Sequence, residues 1–240
     1  CRAEKGRSRF RRRLGHPRLP QIVGTLANRL NSTRATIQAE CSRLQRSEPT
    51  LIVVTKTYPA SDVQILADLG VKDFGENRNE EGVEKSAVVS GRWHYQGEIQ
   101  SRKLRDIAQW ADVVHSLDTA SHISKLATIA SKPLDIFLQL SLDGDPSRGG
   151  VVEDQLPALA EIAVASPHLH LAGLMCVPPV AADPRTAFPE IAAIHARFIK
   201  QFSGATSLSA GMSGDFEIAI DCGATHVRVG SSILGSRTAR

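Results

Sequence analysis

The sequence predicts an α/β protein, a single-domain TIM (β/α)8 barrel, on three observations. Apolar, β-branched runs of strand length alternate with helical patterns eight times along the chain. The 240 residues match the roughly 250 that such a barrel uses. The turn after the first strand, Thr57-Tyr58-Pro59, lacks the GxGxxG fingerprint of the competing doubly wound sheet.

The elements follow in order. Ile22, Leu26, Leu30, Ile37, Cys41 and Leu44 recur at helical spacing, which predicts an amphipathic helix ahead of the barrel. Leu51-Ile52-Val53-Val54-Thr55-Lys56 reads as a buried parallel strand, closed by Pro59, which has no ladder donor. Ser61 or Asp62 can cap a helix that buries Val63, Leu66, Ala67 and Leu69 and stops at Gly70. The alternation continues with strands over 71–74, 92–96, 112–117, 134–142, 169–176, 207–210 and 225–229. Helices are expected between them over 80–88, 101–110, 119–130, 154–165, 184–202 and 214–220, with a short one from Ser231. Gly144-Asp145-Pro146 and Gly149-Gly150 mark a long turn after the fifth strand. The expected organisation is a basic, disordered extension over 1–21 and one barrel domain over 22–240, with no room for a second domain.

Composition narrows the function classes. Hydrophobic residues make up 42% and charged residues 22%, a soluble globular balance. No apolar run approaches the ~20 residues that cross a bilayer, so no membrane partner is expected. The net charge of +4 is concentrated in a stretch that includes Arg2, Lys5, Arg7, Arg9, Arg11, Arg12, Arg13 and Arg18. Such a stretch can neutralise phosphates, but it more commonly stays solvated, so nucleic acid is not an expected partner. Cys1, Cys41, Cys176 and Cys222 have no paired spacing, and the eight histidines show no HExxH, which excludes a disulfide framework and a zinc motif. The expectation is a cytoplasmic, metal-free monomer.

In a barrel, chemistry collects at the C-terminal ends of the strands. Lys56 ends strand one, Asn77 follows strand two, and His94, Gly97 and Gln100 follow strand three. Arg148 lies after strand five, Met175 after six, Ser209, Gly211 and Ser213 after seven, and Arg228, Gly230 and Ser231 after eight. Lysine is rarely buried without a partner; at the end of a buried strand it either caps the strand or serves as an amine nucleophile. Gly211-Met212-Ser213-Gly214 and Gly230-Ser231-Ser232 each open a helix, and their N–H groups and hydroxyls suit a phosphate, unless the serines are plain N-caps. Arg228, between Val227 and Val229, needs an anionic or hydrogen-bonding partner. His94, between Trp93 and Tyr95, reads as structural. A lysine facing a phosphate cradle and a buried arginine suggests a phosphorylated aldehyde. Pyridoxal phosphate fits, and so, less specifically, does a sugar phosphate held by a Schiff-base aldolase.

Six segments carry a resemblance: VVTKTYPAS (53–61), DFGEN (73–77), WHYQGEIQSRK (93–103), GLMCVPP (173–179), LSAGMSGDFEIAI (208–220) and HVRVGSSILGSR (226–237). In that order they resemble the pyridoxal phosphate homeostasis proteins (the YggS/PROSC family), which are themselves similar to the barrel domain of alanine racemase. The resemblance implies pyridoxal 5'-phosphate as cofactor, carried on Lys56 as a Schiff base. It implies Asn77 beside the cofactor, Ser213, Gly230 and Ser231 on the phosphate, and Arg228 facing the pyridine nitrogen. It departs at Ser231, where threonine is usual, and at Glu98, Arg102 and Leu234. An arginine on the ring nitrogen disfavours the protonated, electron-withdrawing ring, so the expected role is a carrier or regulator of intracellular pyridoxal phosphate without efficient turnover. Its expected partners are amino acids and the apo-enzymes that need the cofactor. The alternative is an amino-acid racemase, for which Tyr58 and His94 are the nearest second bases.

Overall fold

The structure, a computed structural model, describes residues 19–235. The basic stretch before Leu19 lies outside the described residues. Helix α1 (Leu19–Arg43) buries Leu26, Leu30, Ile37 and Cys41 on one stripe, as their spacing predicts. It begins at Leu19, three residues ahead of the expected start of the domain.

Eight parallel strands then close on themselves in sequence order. They are β1 (Thr50–Val54), β2 (Asp73–Glu76), β3 (Arg92–Tyr95), β4 (Val113–Leu117), β5 (Leu134–Leu140), β6 (Leu169–Cys176), β7 (Ser207–Met212) and β8 (His226–Val229). The seam pairs β1 with β8, Thr50 opposite His226 through Val53 opposite Val229. The helices that return the chain between strands are α2 (Ala60–Asp68), α3 (Asn79–Ser86), α4 (Leu104–Trp110), α5 (Ala120–Ile129), α6 (Leu156–Val164), α7 (Pro184–Gln201) and α8 (Phe216–Asp221). A one-turn helix α9 (Ser231–Leu234) follows β8. The predicted barrel and its element order are what the chain forms.

Strand residues alternate between two surroundings, because successive side chains point to opposite faces. Outward residues such as Phe74, Trp93, Val114, Ile136, Leu138 and Leu174 join the helices in one large apolar core. Inward residues form a separate, small apolar cluster of Val113, Phe137 and Met175. Around it stand polar groups: His94, His115 and Ser209 are fully buried, and Arg228 is 5% exposed. Bonds between β4 and β7, and between β6 and β8, join strands that are not neighbours, so they cross the interior of the closed barrel.

Three of the boundaries that differ from the sequence reading bear on the site. β1 stops at Val54, so Lys56 sits in a turn rather than on the strand. β2 runs over 73–76 instead of 71–74, taking in Gly75 and Glu76, two residue types that strands disfavour. β7 continues through Met212, absorbing Gly211. There φ is +92°, and a Cβ would stand 2.6 Å from the Ala219 side chain, so only glycine fits.

Candidate functional site

The loops that follow β7, β8, β1 and β2 leave neighbouring strands at one end of the barrel, and among the six nominated residues Ser213 and Gly230 are in direct contact. Lys56 is exposed in the β1–α2 turn. This turn is fastened on both sides of the lysine. Lys85 Nζ donates to the Thr55 carbonyl at 2.9 Å, and the Thr57 N–H donates to Glu81 Oε2 at 2.6 Å. Thr57 has a φ of +70°, in the left-handed region, which a β-branched residue adopts only when its surroundings impose it.

The fastening is an ion cluster on the outward side of β2. Lys85, 3% exposed, lies 2.7 Å from Glu76 and 2.8 Å from Glu81. Thr55 Oγ1 adds a 2.5 Å bond to Glu76 Oε1. Burial pushes the Glu76 carboxyl up, even against the bonds from Lys85 and Thr55. Burial acts on Glu81 too, but the bonds from Lys85 and the Thr57 N–H outweigh it and hold that group below its usual value.

Ser213 and the turn after β8 already touch. The Ser213 hydroxyl oxygen accepts from the Gly230 N–H at 3.2 Å and the Ser232 N–H at 3.4 Å. Gly230 lies against β1, with a hypothetical Cβ 3.1 Å from the Val54 carbonyl oxygen. Ser231 is exposed beside it. Three of the N–H groups that the sequence offered to a phosphate are therefore already engaged. Two are in long bonds to Ser213, and the Met212 N–H donates to Asp215 Oδ1 at 2.6 Å. Long bonds of this kind are weak, so an anion can compete for the same donors.

Arg228 lies deeper, with neutral partners only in its hydrogen bonds. Its Nη1 donates to both Ser209 O and Ser209 Oγ at 2.7 Å, and its Nη2 donates to Cys176 O at 2.9 Å. Burial lowers its pKa to about 10, so it stays charged near neutral pH. Three of the five N–H donors are used in these bonds, which leaves hydrogens on Nε and Nη2.

Asn77, beyond β2, is the sixth residue. Its Oδ1 is buried with no partner, and so is Gln96 Nε2 in the adjacent loop. Gly97 permits this crowding, since a Cβ there would stand 2.0 Å from the Asn77 carbonyl oxygen. A buried acceptor and a buried donor without partners at a barrel mouth fit a polar ring-bearing ligand that would satisfy them. Together with the lysine turn and the serine–glycine contact, they fit pyridoxal phosphate.

The other half of the mouth holds a cavity of about 520 Å3 between the loops after β3 to β6, lined by Gln96, Ser116, Asp118, Gln139 and Arg148 among others. Arg148 is tied down there by Asp143 and the carbonyls of Val177 and Pro178. His94 and Tyr58 are not presented as bases. His94 is enclosed in the barrel, bonded to Asp73 and His115. The Tyr58 hydroxyl donates to the Gly235 carbonyl at 2.7 Å. Sequence reasoning missed Lys85, Glu81, Asp73 and His115. The first two stand four apart on a helix, a spacing usually read as a surface pair. The signal for His115 was its place two residues after Val113 in a buried strand, which puts both on one face.

Residues 29–238 match the alanine racemase N-terminal domain family. The chain is 40% identical over 217 residues to the pyridoxal phosphate homeostasis protein of Corynebacterium glutamicum, covering 85% of this chain and 98% of that one. It resembles the structure of PipY from Synechococcus elongatus PCC7942, solved with PLP bound, at a TM-score of 0.77 and 28% identity, covering 88% of this chain and all of that one. Alanine racemase from Corynebacterium glutamicum is similar at a TM-score of 0.67 and 16% identity, over 88% of this chain and 60% of the racemase, a likeness of fold alone.

Proposed function

The chain belongs to the family of the pyridoxal phosphate homeostasis proteins, and on that premise we propose that it binds pyridoxal 5'-phosphate at the barrel mouth and serves its intracellular supply. The observation that carries this reading is the convergence, on the neighbouring strands β7, β8 and β1, of the Ser213–Gly230 contact, the buried Arg228 and the fastened Lys56 turn. When bound, the cofactor supplies an aldehyde that condenses with amines and a ring that withdraws electrons when its nitrogen is protonated.

Lys56 provides the amine for covalent attachment. Ser213, Gly230 and Ser231 bind the phosphate through hydroxyls and N–H groups, and Asn77 lines the ring. Arg228, charged and without a carboxylate in its hydrogen bonds, faces the ring nitrogen and keeps a proton off it. That arrangement favours holding and releasing the cofactor over abstracting protons from an amino acid. The reading places the protein in the cytoplasm as a monomer, with free amino acids and apo-enzymes that need the cofactor as its partners.

Borohydride reduction of the loaded protein, followed by peptide mapping, tests the site. The label is expected on Lys56 and is lost in Lys56→Ala; a label on Lys72 or Lys103 overturns the assignment. Incubation with L-alanine in deuterated water tests the role. Formation of D-alanine at a kcat of about 1 s⁻¹ or more would mark an enzyme instead.

A further inference from the structure

A line of hydrogen bonds runs through the barrel from Arg228 to the opposite end. Arg228 Nη1 reaches Ser209 Oγ at 2.7 Å, and Ser209 Oγ lies 3.0 Å from His115 Nδ1. His115 Nε2 lies 2.9 Å from His94 Nδ1, and His94 Nε2 lies 3.0 Å from Asp73 Oδ1. Ser209, His115 and His94 are fully buried, so none can turn to water instead. Asp73 is half-buried at the far end, where it lines cavities beside Lys72.

With both rings neutral, as their full burial favours, the carboxylate end fixes the direction of every bond in the line. A guanidinium can only donate, and an ionised carboxylate can only accept. The Ser209 hydroxyl, accepting from Arg228, gives its own hydrogen to His115 Nδ1. His115 then carries its hydrogen on Nε2 and gives it to His94 Nδ1. His94 in turn carries its hydrogen on Nε2 and gives it to Asp73. Each neutral ring is thereby held in one tautomer. Burial favours the same state, pushing His115 well below and His94 below the ordinary imidazole value, against the charge of Asp73 on His94. The charged groups around the pair are Asp73, Arg92, Asp112 and Arg228, with His226 as the further titratable neighbour. Phe137 stacks on His115 with ring centroids 4.4 Å apart and planes 10° from parallel, which holds the ring in line.

We infer that Ser209, His115, His94 and Asp73 are positioning residues that set the guanidinium of Arg228 against the ring of the bound cofactor. The inference rests on the proposed placement of the ring nitrogen at Arg228. A serine hydroxyl alone is free to rotate. With His115 taking its hydrogen, its lone pairs are left facing Arg228, and both Nη1 hydrogens are committed to Ser209. The Nε and Nη2 edge is then the part left for a ligand. The line is not a proton conduit, because the arginine at its head does not give up its proton near neutral pH.

The test has two arms. In the protein without cofactor, long-range nitrogen–proton NMR of 15N-labelled histidine is expected to show His94 and His115 neutral and protonated on Nε2 at pH 7. An Nδ1-protonated form or an imidazolium at either position overturns the line, whatever the fate of the cofactor assignment. In the loaded protein, Ser209→Ala and His115→Phe are expected to weaken pyridoxal phosphate binding by about ten-fold, the worth of one hydrogen bond to a charged group. They should also shift the pH profile of the cofactor's absorption while borohydride still fixes it on Lys56. The phenylalanine keeps the ring that stacks on Phe137, so that variant tests the line if the alanine variant does not fold. Wild-type affinity and pH profile in the folded variants overturn the positioning role. A wild-type protein that cannot be trapped on Lys56 overturns the cofactor assignment instead, and the NMR arm still decides the direction of the line.

Discussion

The two sides of the same eight-stranded wall are built for different purposes. Outward, Phe74 packs on Trp93 with ring centroids 5.2 Å apart, in an apolar layer that continues into the helices. Inward, three apolar residues share the space with two histidines, a serine and an arginine, all buried. Area removed from water accounts for the outer side. The inner side spends polar groups where aliphatic residues would pack more simply, and each is hydrogen-bonded. The outer layer gives the barrel its stability and the inner layer gives its mouth an orientation. Glu76 and Lys85 breach the division, because their ion pair lies in the outer layer under the Lys56 turn.

The division can be broken most visibly from outside. Phe74→Ala, at a fully buried ring, is expected to cost about 3–5 kcal/mol in denaturant unfolding. It should leave the histidine tautomers unchanged. Lys85→Met comes next: it leaves Glu76 uncompensated, a cost of up to about 3 kcal/mol near pH 8. Burial already raises the Glu76 pKa, so the folded variant takes up a proton before the unfolded chain does. Its deficit should therefore shrink as the pH falls towards 5, and a constant deficit across that range would contradict the buried pair.

A smaller effect sharpens the inner side. His226 is pushed down to about 4, and His94 and His115 are lowered as well, all first by burial. The unfolded chain then binds more protons than the fold below about pH 6.5. Stability should be fully present above that value and be lost as the pH falls through about 4. His115→Phe should flatten this slope, whereas Phe74→Ala should keep it; equal slopes in the two variants would remove the distinction. The smallest change belongs to the surface. Arg197→Ala breaks an exposed pair with Glu153, and the unfolding midpoint should not move measurably.

The outer side was the legible one. Strand runs such as Leu51-Ile52-Val53-Val54 and the stripe of α1 announce themselves through hydrophobic period, and the barrel follows from counting them. Lys56, Arg228, Ser213 and Gly230 were nominated because loop position and residue chemistry agree, and the structure puts Ser213 against Gly230 and buries Arg228. Glu76 and Gly75 were read as loop because neither favours strand, and pairing with β1 and β3 overrode that preference. Asp73 and His115 were not legible, since their roles depend on which strands face each other across a closed barrel. No local spacing encodes that.

The seam between β1 and β8 has a consequence for folding. It joins the first strand to the last, so its loop-closure cost is the largest in the sheet, and contacts so remote in sequence form slowly. Lys56 and Gly230 flank that seam. Their neighbourhood therefore comes into existence only when the ring of strands is complete, and cofactor capture during refolding should lag behind the recovery of helical signal. A nascent chain that lacks β8 has Lys56 but no turn at Gly230 beside it, so on the proposed site the capture of cofactor doubles as a report that the barrel has closed.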